Sequence, residues 1–205
     1  GVTNDFVTYL VVNYGNFFEG VSNALLTVLV ALEQALRGAP AWLIIALVGV
    51  IAYAASRRLF MSIAMMAAMW FIGTLGLWEQ AMQTVAIMLV SVGIAIIVGV
   101  PLGVLSARSN TTRAFLNPVL DLMQTIPSFV YLIPAAMLFG LGKVPAILAT
   151  VIYATPPLIR LTDLGIRLVD TEVIEASRAF GATRWQMLKG VQIPLALPSI
   201  MQGIN

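Results

Sequence analysis

Five apolar stretches constrain this chain more than any other feature: residues 40–56, 59–78, 84–107, 118–140 and 144–160. Each falls within the roughly 17–25 residues that carry a helix across a bilayer core. Backbone groups in hydrocarbon must be bonded within their own segment, so such stretches can only be helices packed in a membrane. The composition closes off the soluble alternative. Only 10% of residues are charged and 60% are hydrophobic, against about 25% charged in a soluble domain. So few charges cannot cover the surface of a globule of this length.

Basic residues orient the spans. When the polar segment 170–198 is placed in the cytoplasm and the chain is threaded back through five spans, Arg57, Arg58, Arg108, Arg113, Arg160, Arg167, Arg178, Arg184 and Lys189 all fall inside. Of the 11 Lys and Arg residues, only Arg37 and Lys143 fall outside. This positive-inside bias predicts an external N-terminus. Trp42 and Trp78 fall near the outer ends, where an aromatic belt belongs. Residues 1–16 read as a polar, aromatic lead-in, and residues 17–37 as an amphipathic helix lying in the interface. Glu33 would be costly at membrane depth. The expected organisation is an extracytoplasmic and interfacial segment at 1–39 and one transmembrane domain at 40–205.

Several function classes drop out. There is no cysteine and no histidine, which removes thiolate chemistry, the usual general base and the commonest metal ligand. A formal charge of +2 is no electrostatic footprint for nucleic acid. No phosphate-cradling G-x-x-x-x-G-K-[ST] loop occurs.

The segment 170–198 is a charged island in this apolar chain, and its chemistry predicts a helix, a sharp turn and a second helix. Asp170 or Thr171 can cap the first helix, with Glu172 and Glu175 near its positive end. Gly181 suits the left-handed position just past a helix end. Thr183 stands three residues before Gln186, a capping-box spacing. Pro194 and Pro198 are expected to punctuate the chain at the end of the second helix.

Glu175-Ala176-Ser177, then Gly181, then Val191-Gln192-Ile193-Pro194 closely resembles the EAA loop of ABC importer permeases, EAA-x3-G-x9-I-x-LP. The departures are Ser177 for Ala, Val191 for Ile and Ile193 for Leu. The run from Gln124 to Tyr131 and the run from Pro156 to Arg160 are similar to the osmoprotectant branch, which transports glycine betaine, proline betaine or choline. The resemblance implies an all-α, polytopic, type I ABC importer permease-like fold, with about five transmembrane helices present plus a cytoplasmic coupling helix. In the family further helices come after this loop, so the chain is expected to be C-terminally incomplete. The resemblance also implies a bacterial inner-membrane location and four kinds of partner: a separate ATPase subunit, an extracytoplasmic substrate-binding protein, a second permease copy in a homodimer, and membrane lipid. ATP and Mg would be held by the ATPase, with no cofactor on this chain and no enzymatic activity of its own. The ATPase-coupling residues carried over are Glu175, Ala176, Ser177, Arg178, Gly181 and Ala182, supported by Thr183, Ile193 and Pro194.

Other residues carry competing readings. Gln124, Thr125, Pro127, Ser128 and Tyr131 sit at a proline break that could line a translocation pathway or simply kink a helix. Gly99, Pro101 and Gly103 read as a close-packing surface. Asp121 reads as an acid at a helix N-terminus, satisfied by backbone N–H groups and Arg113, rather than a proton relay. Phe129, Tyr131 and Tyr153 read as core packing rather than as cation–π partners of a quaternary ammonium. Met61, Met65, Met66, Met69 and Trp70 read as a lipid-facing or packing stripe rather than a metal path. Arg178, Arg184 and Lys189 fit acidic groups of a partner, anionic lipid headgroups, or topology alone. The alternatives to an ABC permease are an ion-coupled carrier, for which Asp121 is thin support, and a non-transporting membrane scaffold.

Overall fold

A computed structural model describes the backbone of residues 2–205 and the side chains from Gly15 onward. The lead-in side chains of residues 1–14 lie outside the described residues. All regular structure among the described residues is helical. The contacts divide into two compact units, residues 1–90 and 91–205.

In the first unit, α1 runs over Val2–Gly38. Its part from Gly15 to Gly38 is 24 residues, long and apolar enough to cross a membrane, where an interfacial helix was expected. Glu33 is buried but faces Arg37 one turn on, at 3.4 Å, and Arg37 also bonds Glu79. Pairing reduces the penalty that an acid carries at depth. Helices α2 (Ala41–Ser56) and α3 (Leu59–Thr74) have 16 residues each, about 24 Å at 1.5 Å per residue. They form a tight hairpin. Arg57 adopts the left-handed conformation, φ 54°, and donates its N–H to Tyr53 O at 2.8 Å. Gly49 lets the helices touch: Ser62 Oγ donates to its carbonyl at 2.7 Å, and an added Cβ would overlap Met66 Sδ. Met66 is therefore a packing residue, whereas Met61, Met65 and Trp70 point outward, as the stripe reading expects.

Helix α4, Trp78–Arg108, starts in the first unit and ends in the second. There it packs on α7, Lys143–Arg167, through small residues. A Cβ on Gly99 would lie 3.0 Å from Leu158 Cδ2, and one on Gly103 2.5 Å from Thr162 Cβ. Helix α10, Ile193–Ile204, covers α7 in the same way, with Gly165 against Ser199 and Gly203 against Leu158. Ala95, Leu158, Ile166, Ala196 and Ile200 form the buried core of this unit. The close-packing reading of Gly99 and Gly103 holds.

Two expectations are corrected. Residues 118–140 are not one straight span. Helix α5 already begins at Asn110, capped by Ser109 Oγ accepting from Thr112 N at 3.2 Å, and ends at Thr125. A 3-10 turn, Ser128–Tyr131, leads into α6, Leu132–Phe139, and the chain bends by 100° between them. The cause is Pro127, which pushes Ile126 into extended geometry, ψ 126°. In addition, α7 continues beyond Arg160 to Arg167. The polar residues in that extension bond one another and their neighbours.

Candidate functional site

The charged island folds as a capped helical hairpin. Helix α8 spans Thr171–Ala179, and Asp170, rather than Thr171, is its cap, its side chain accepting from Glu172 N at 2.9 Å. Gly181 comes next at φ 81°. Its N–H donates to Arg178 O at 2.9 Å, and the Ala182 N–H to Ser177 O at 3.1 Å. These paired bonds are a Schellman motif, which satisfies carbonyls that the helix end leaves bare. A Cβ on Gly181 would touch nothing, so its constraint is the backbone angle alone. Thr183 then opens α9, Arg184–Met187, with a reciprocal capping box. Gln186 N donates to Thr183 Oγ1 at 3.3 Å, and Thr183 N to Gln186 Oε1 at 2.9 Å.

None of the α8 residues is buried. A nine-residue helix is marginal in water, so these caps, rather than a core, hold its geometry. Thr183→Ala is expected to lower local stability by ~1 kcal/mol. Amide exchange across 171–187 should quicken with little change in the core of α7.

The proline expectation needs correction. Neither Pro194 nor Pro198 ends the second helix. α9 passes through a π turn, Leu188–Gln192, directly into α10. Pro194 offers no N–H and crowds the Gly190 carbonyl. The wider π turn just upstream takes up the misfit. Met187 and Leu188 are buried and anchor the hairpin, while Ile193 is half-buried and Pro194 exposed.

Glu175, Ala176 and Arg178 are exposed, with Ser177 and Ala182 half-buried behind them. Phe180 is 92% exposed and Trp185 58%. The residue reading missed both, although they are the sole aromatics of segment 170–198. Lys189 Nζ sits 5.4 Å from the Trp185 ring centre, a cation–π contact that steadies the indole.

The α5–α6 break is separate from this hairpin. Gln124, Thr125, Pro127 and Ser128 are exposed there. Tyr131 is half-buried, and its hydroxyl donates to Met123 O at 2.8 Å. That bond satisfies a carbonyl freed where α5 stops. Ser128 and Phe129 line a cleft of about 320 Å³ with Thr150 and Tyr153, and no hairpin residue reaches it. Phe129 is 70% and Tyr153 62% exposed, so the core-packing reading fails for both. The cause is the bend, which turns Phe129 away from the unit's core.

The charged pairs also differ from expectation. Asp121 bonds Arg160, not Arg113. Arg113 goes instead to Asp163, with Nε 3.2 Å from Oδ2, and Arg167 Nε donates to the other oxygen at 2.8 Å. Arg167 also donates to Ser106 O at 2.7 Å and Asn110 Oδ1 at 3.0 Å. Asp163 is buried and ties α4, α5 and α7 together. Sequence reasoning passed over it. Its one signal was the i, i+4 spacing to Arg167 on a helix. Among the described residues no group of acids could hold a metal.

The family pattern for binding-protein-dependent transport system inner membrane components matches residues 99–204. The chain is 44% identical over 199 residues to the glycine betaine/proline betaine transport system permease protein ProW of Escherichia coli, covering 97% of this chain and 56% of that protein. It is 41% identical over 206 residues to the glycine betaine transport system permease protein OpuAB of Bacillus subtilis, covering 100% of this chain and 72% of that one. A chain of the MetNI methionine ABC transporter, solved in inward-facing conformations, superposes with a TM-score of 0.54 at 26% identity, over 67% of this chain and 68% of its own.

Proposed function

The chain belongs to the family of binding-protein-dependent transport system inner membrane components, and from that membership we propose that it is a permease subunit of an ATP-driven importer. The cargo is a quaternary-ammonium compatible solute, such as glycine betaine, proline betaine or choline, as the names of its relatives suggest. The observation that carries the coupling role is the hairpin itself. It is fixed by caps, detached from the core, and presents Glu175, Ala176, Phe180 and Trp185 outward. A rigid, exposed helix pair anchored by Met187 and Leu188 suits docking into a groove of an ATPase that holds ATP and Mg. Movement of that ATPase would then pass through the π turn into α10 and α7.

A solute-binding protein delivers cargo at the outer face, and a second copy of the chain completes the path through the bilayer. The hairpin lies in the cytoplasm and the N-terminus outside. Gln124, Thr125, Pro127, Ser128 and Tyr131 border the path, because the break exposes polar and backbone groups that a continuous helix would hide. Asp121 is occupied by Arg160, which withdraws the support it lent an ion-coupled carrier.

The test is nucleotide hydrolysis by the reconstituted full-length permease with its ATPase, binding protein and glycine betaine. Glu175→Lys reverses a charge on the docking face. Gly181→Val forces a β-branched residue to φ 81°, an outlier geometry. Both should abolish substrate-stimulated hydrolysis while the permease still inserts, and Gly181→Asn, which tolerates that region, should retain most of it. Unchanged hydrolysis and uptake in both variants would sink the coupling reading.

A further inference from the structure

One cleft is left unexplained by the import reading. Arg108, Arg178 and Arg184 line a space of about 280 Å³ together with Gln192, Ile166 and Met187. The guanidinium groups come from the last turn of α4, the last turn of α8 and the start of α9. No acid lines this space. The nearby buried acid, Asp163, is engaged by Arg113 and Arg167, and Asp121 by Arg160. Among the described residues no ion pair is found for Arg108, Arg178 or Arg184. Ile166 and Met187, both buried, give the cleft an apolar wall, and such walls focus the field of like charges. Three cations converging beside an apolar wall repel one another and call for a counter-anion.

We infer that this cleft binds a phosphate-class anion. The planar guanidinium fork matches phosphate oxygens with two parallel bonds, which a lysine could not do. Gln192 adds an amide donor. A phospholipid headgroup and free phosphate share this chemistry. The headgroup source fits a cleft at the ends of membrane-length helices, where anionic lipid gathers near basic side chains. The inference goes beyond the import reading and stands whether or not the chain moves a solute.

The experiment tracks thermal unfolding of the full-length permease in neutral detergent by tryptophan fluorescence. Three probes are titrated: inorganic phosphate, short-chain phosphatidylglycerol and short-chain phosphatidylcholine. A ligand that binds only the folded state raises the midpoint. The expected result is a saturable rise of several degrees with phosphatidylglycerol that is lost in R108Q/R184Q and kept in R57Q/R58Q, a basic pair far along the chain. A matching rise with inorganic phosphate would identify the anion alone as sufficient, and its absence would identify the headgroup; either supports the site. If the double variant does not fold, R108Q alone carries the comparison. The inference is overturned if neither phosphatidylglycerol nor phosphate shifts the midpoint, if phosphatidylcholine shifts it equally, or if R108Q/R184Q responds as the native chain does. It is also overturned if no probe binds but R108Q/R184Q loses the ATPase, because the cleft would then receive a protein carboxylate.

Discussion

Gly103→Leu is expected to leave no folded permease in detergent. Even the first carbon of a side chain at this position would lie 2.5 Å from Thr162 Cβ and 2.9 Å from the Ile159 carbonyl oxygen. The carbonyl belongs to the α7 backbone and cannot rotate away, so α4 and α7 would have to separate. Over-packing a core costs ~1–3 kcal/mol where side chains can shift, and more where they cannot. Gly103→Ala should already fall at or above the top of that range. Gly99→Ala is the graded comparison. Its added carbon would meet Leu158 Cδ2 at 3.0 Å, a flexible side-chain end that can give way. Size-exclusion profiles and unfolding midpoints of the purified variants should rank native, Gly99→Ala, Gly103→Ala and Gly103→Leu in falling order. Equal behaviour of the two alanine variants would refute the contact argument.

Asp163→Ala should be the most damaging change among the charged residues. It removes the shared carboxylate of Arg113 and Arg167 and leaves two cations facing an apolar junction. Stripping one partner from a buried pair costs ~3–5 kcal/mol. The lower end applies here, because the Arg113 side chain is 43% exposed and partly screened by water. Asp163→Asn keeps an acceptor for one arginine and should lose less. Thermal unfolding in detergent measures both. High salt should narrow the gap between native and Asp163→Ala only slightly, since the carboxylate itself is buried. A large salt effect would mean that the pairs act as surface charges.

The two predictions rest on features of different legibility. Gly103 could be singled out beforehand as part of a small-residue surface, but its partner could not. Asp163 was invisible to the residue reading, because the expected span ended at Arg160 and the acid fell into a presumed connection. The helix continues because Asp163, Arg167, Asn110 and the Ser106 carbonyl satisfy one another, and those residues are up to 61 apart in sequence. Glu33 tells the same story. It looked too costly for membrane depth until Arg37 was seen beside it.

By itself the sequence determined the helical class, the placement of the apolar stretches and the coupling hairpin. Those rest on short-range chemistry: an apolar run either reaches span length or does not, and Asp170, Gly181 and Thr183 act on groups within a few residues. The resemblance of the segment from Glu175 to Pro194 to the EAA loop rests on the same local spacing. Only the tertiary structure decided the pairing of α4, α7 and α10, the partners of Asp121 and Asp163, the sharp bend at Pro127, and the exposure of Phe129, Phe180 and Tyr153. In a membrane chain the lipid-facing and helix-facing surfaces are both apolar, so hydrophobic pattern does not say which face packs. That choice falls to shape and polar pairing across helices. These become visible when Gly103 meets Thr162, and when Asp163 draws Arg113 and Arg167 from two different helices.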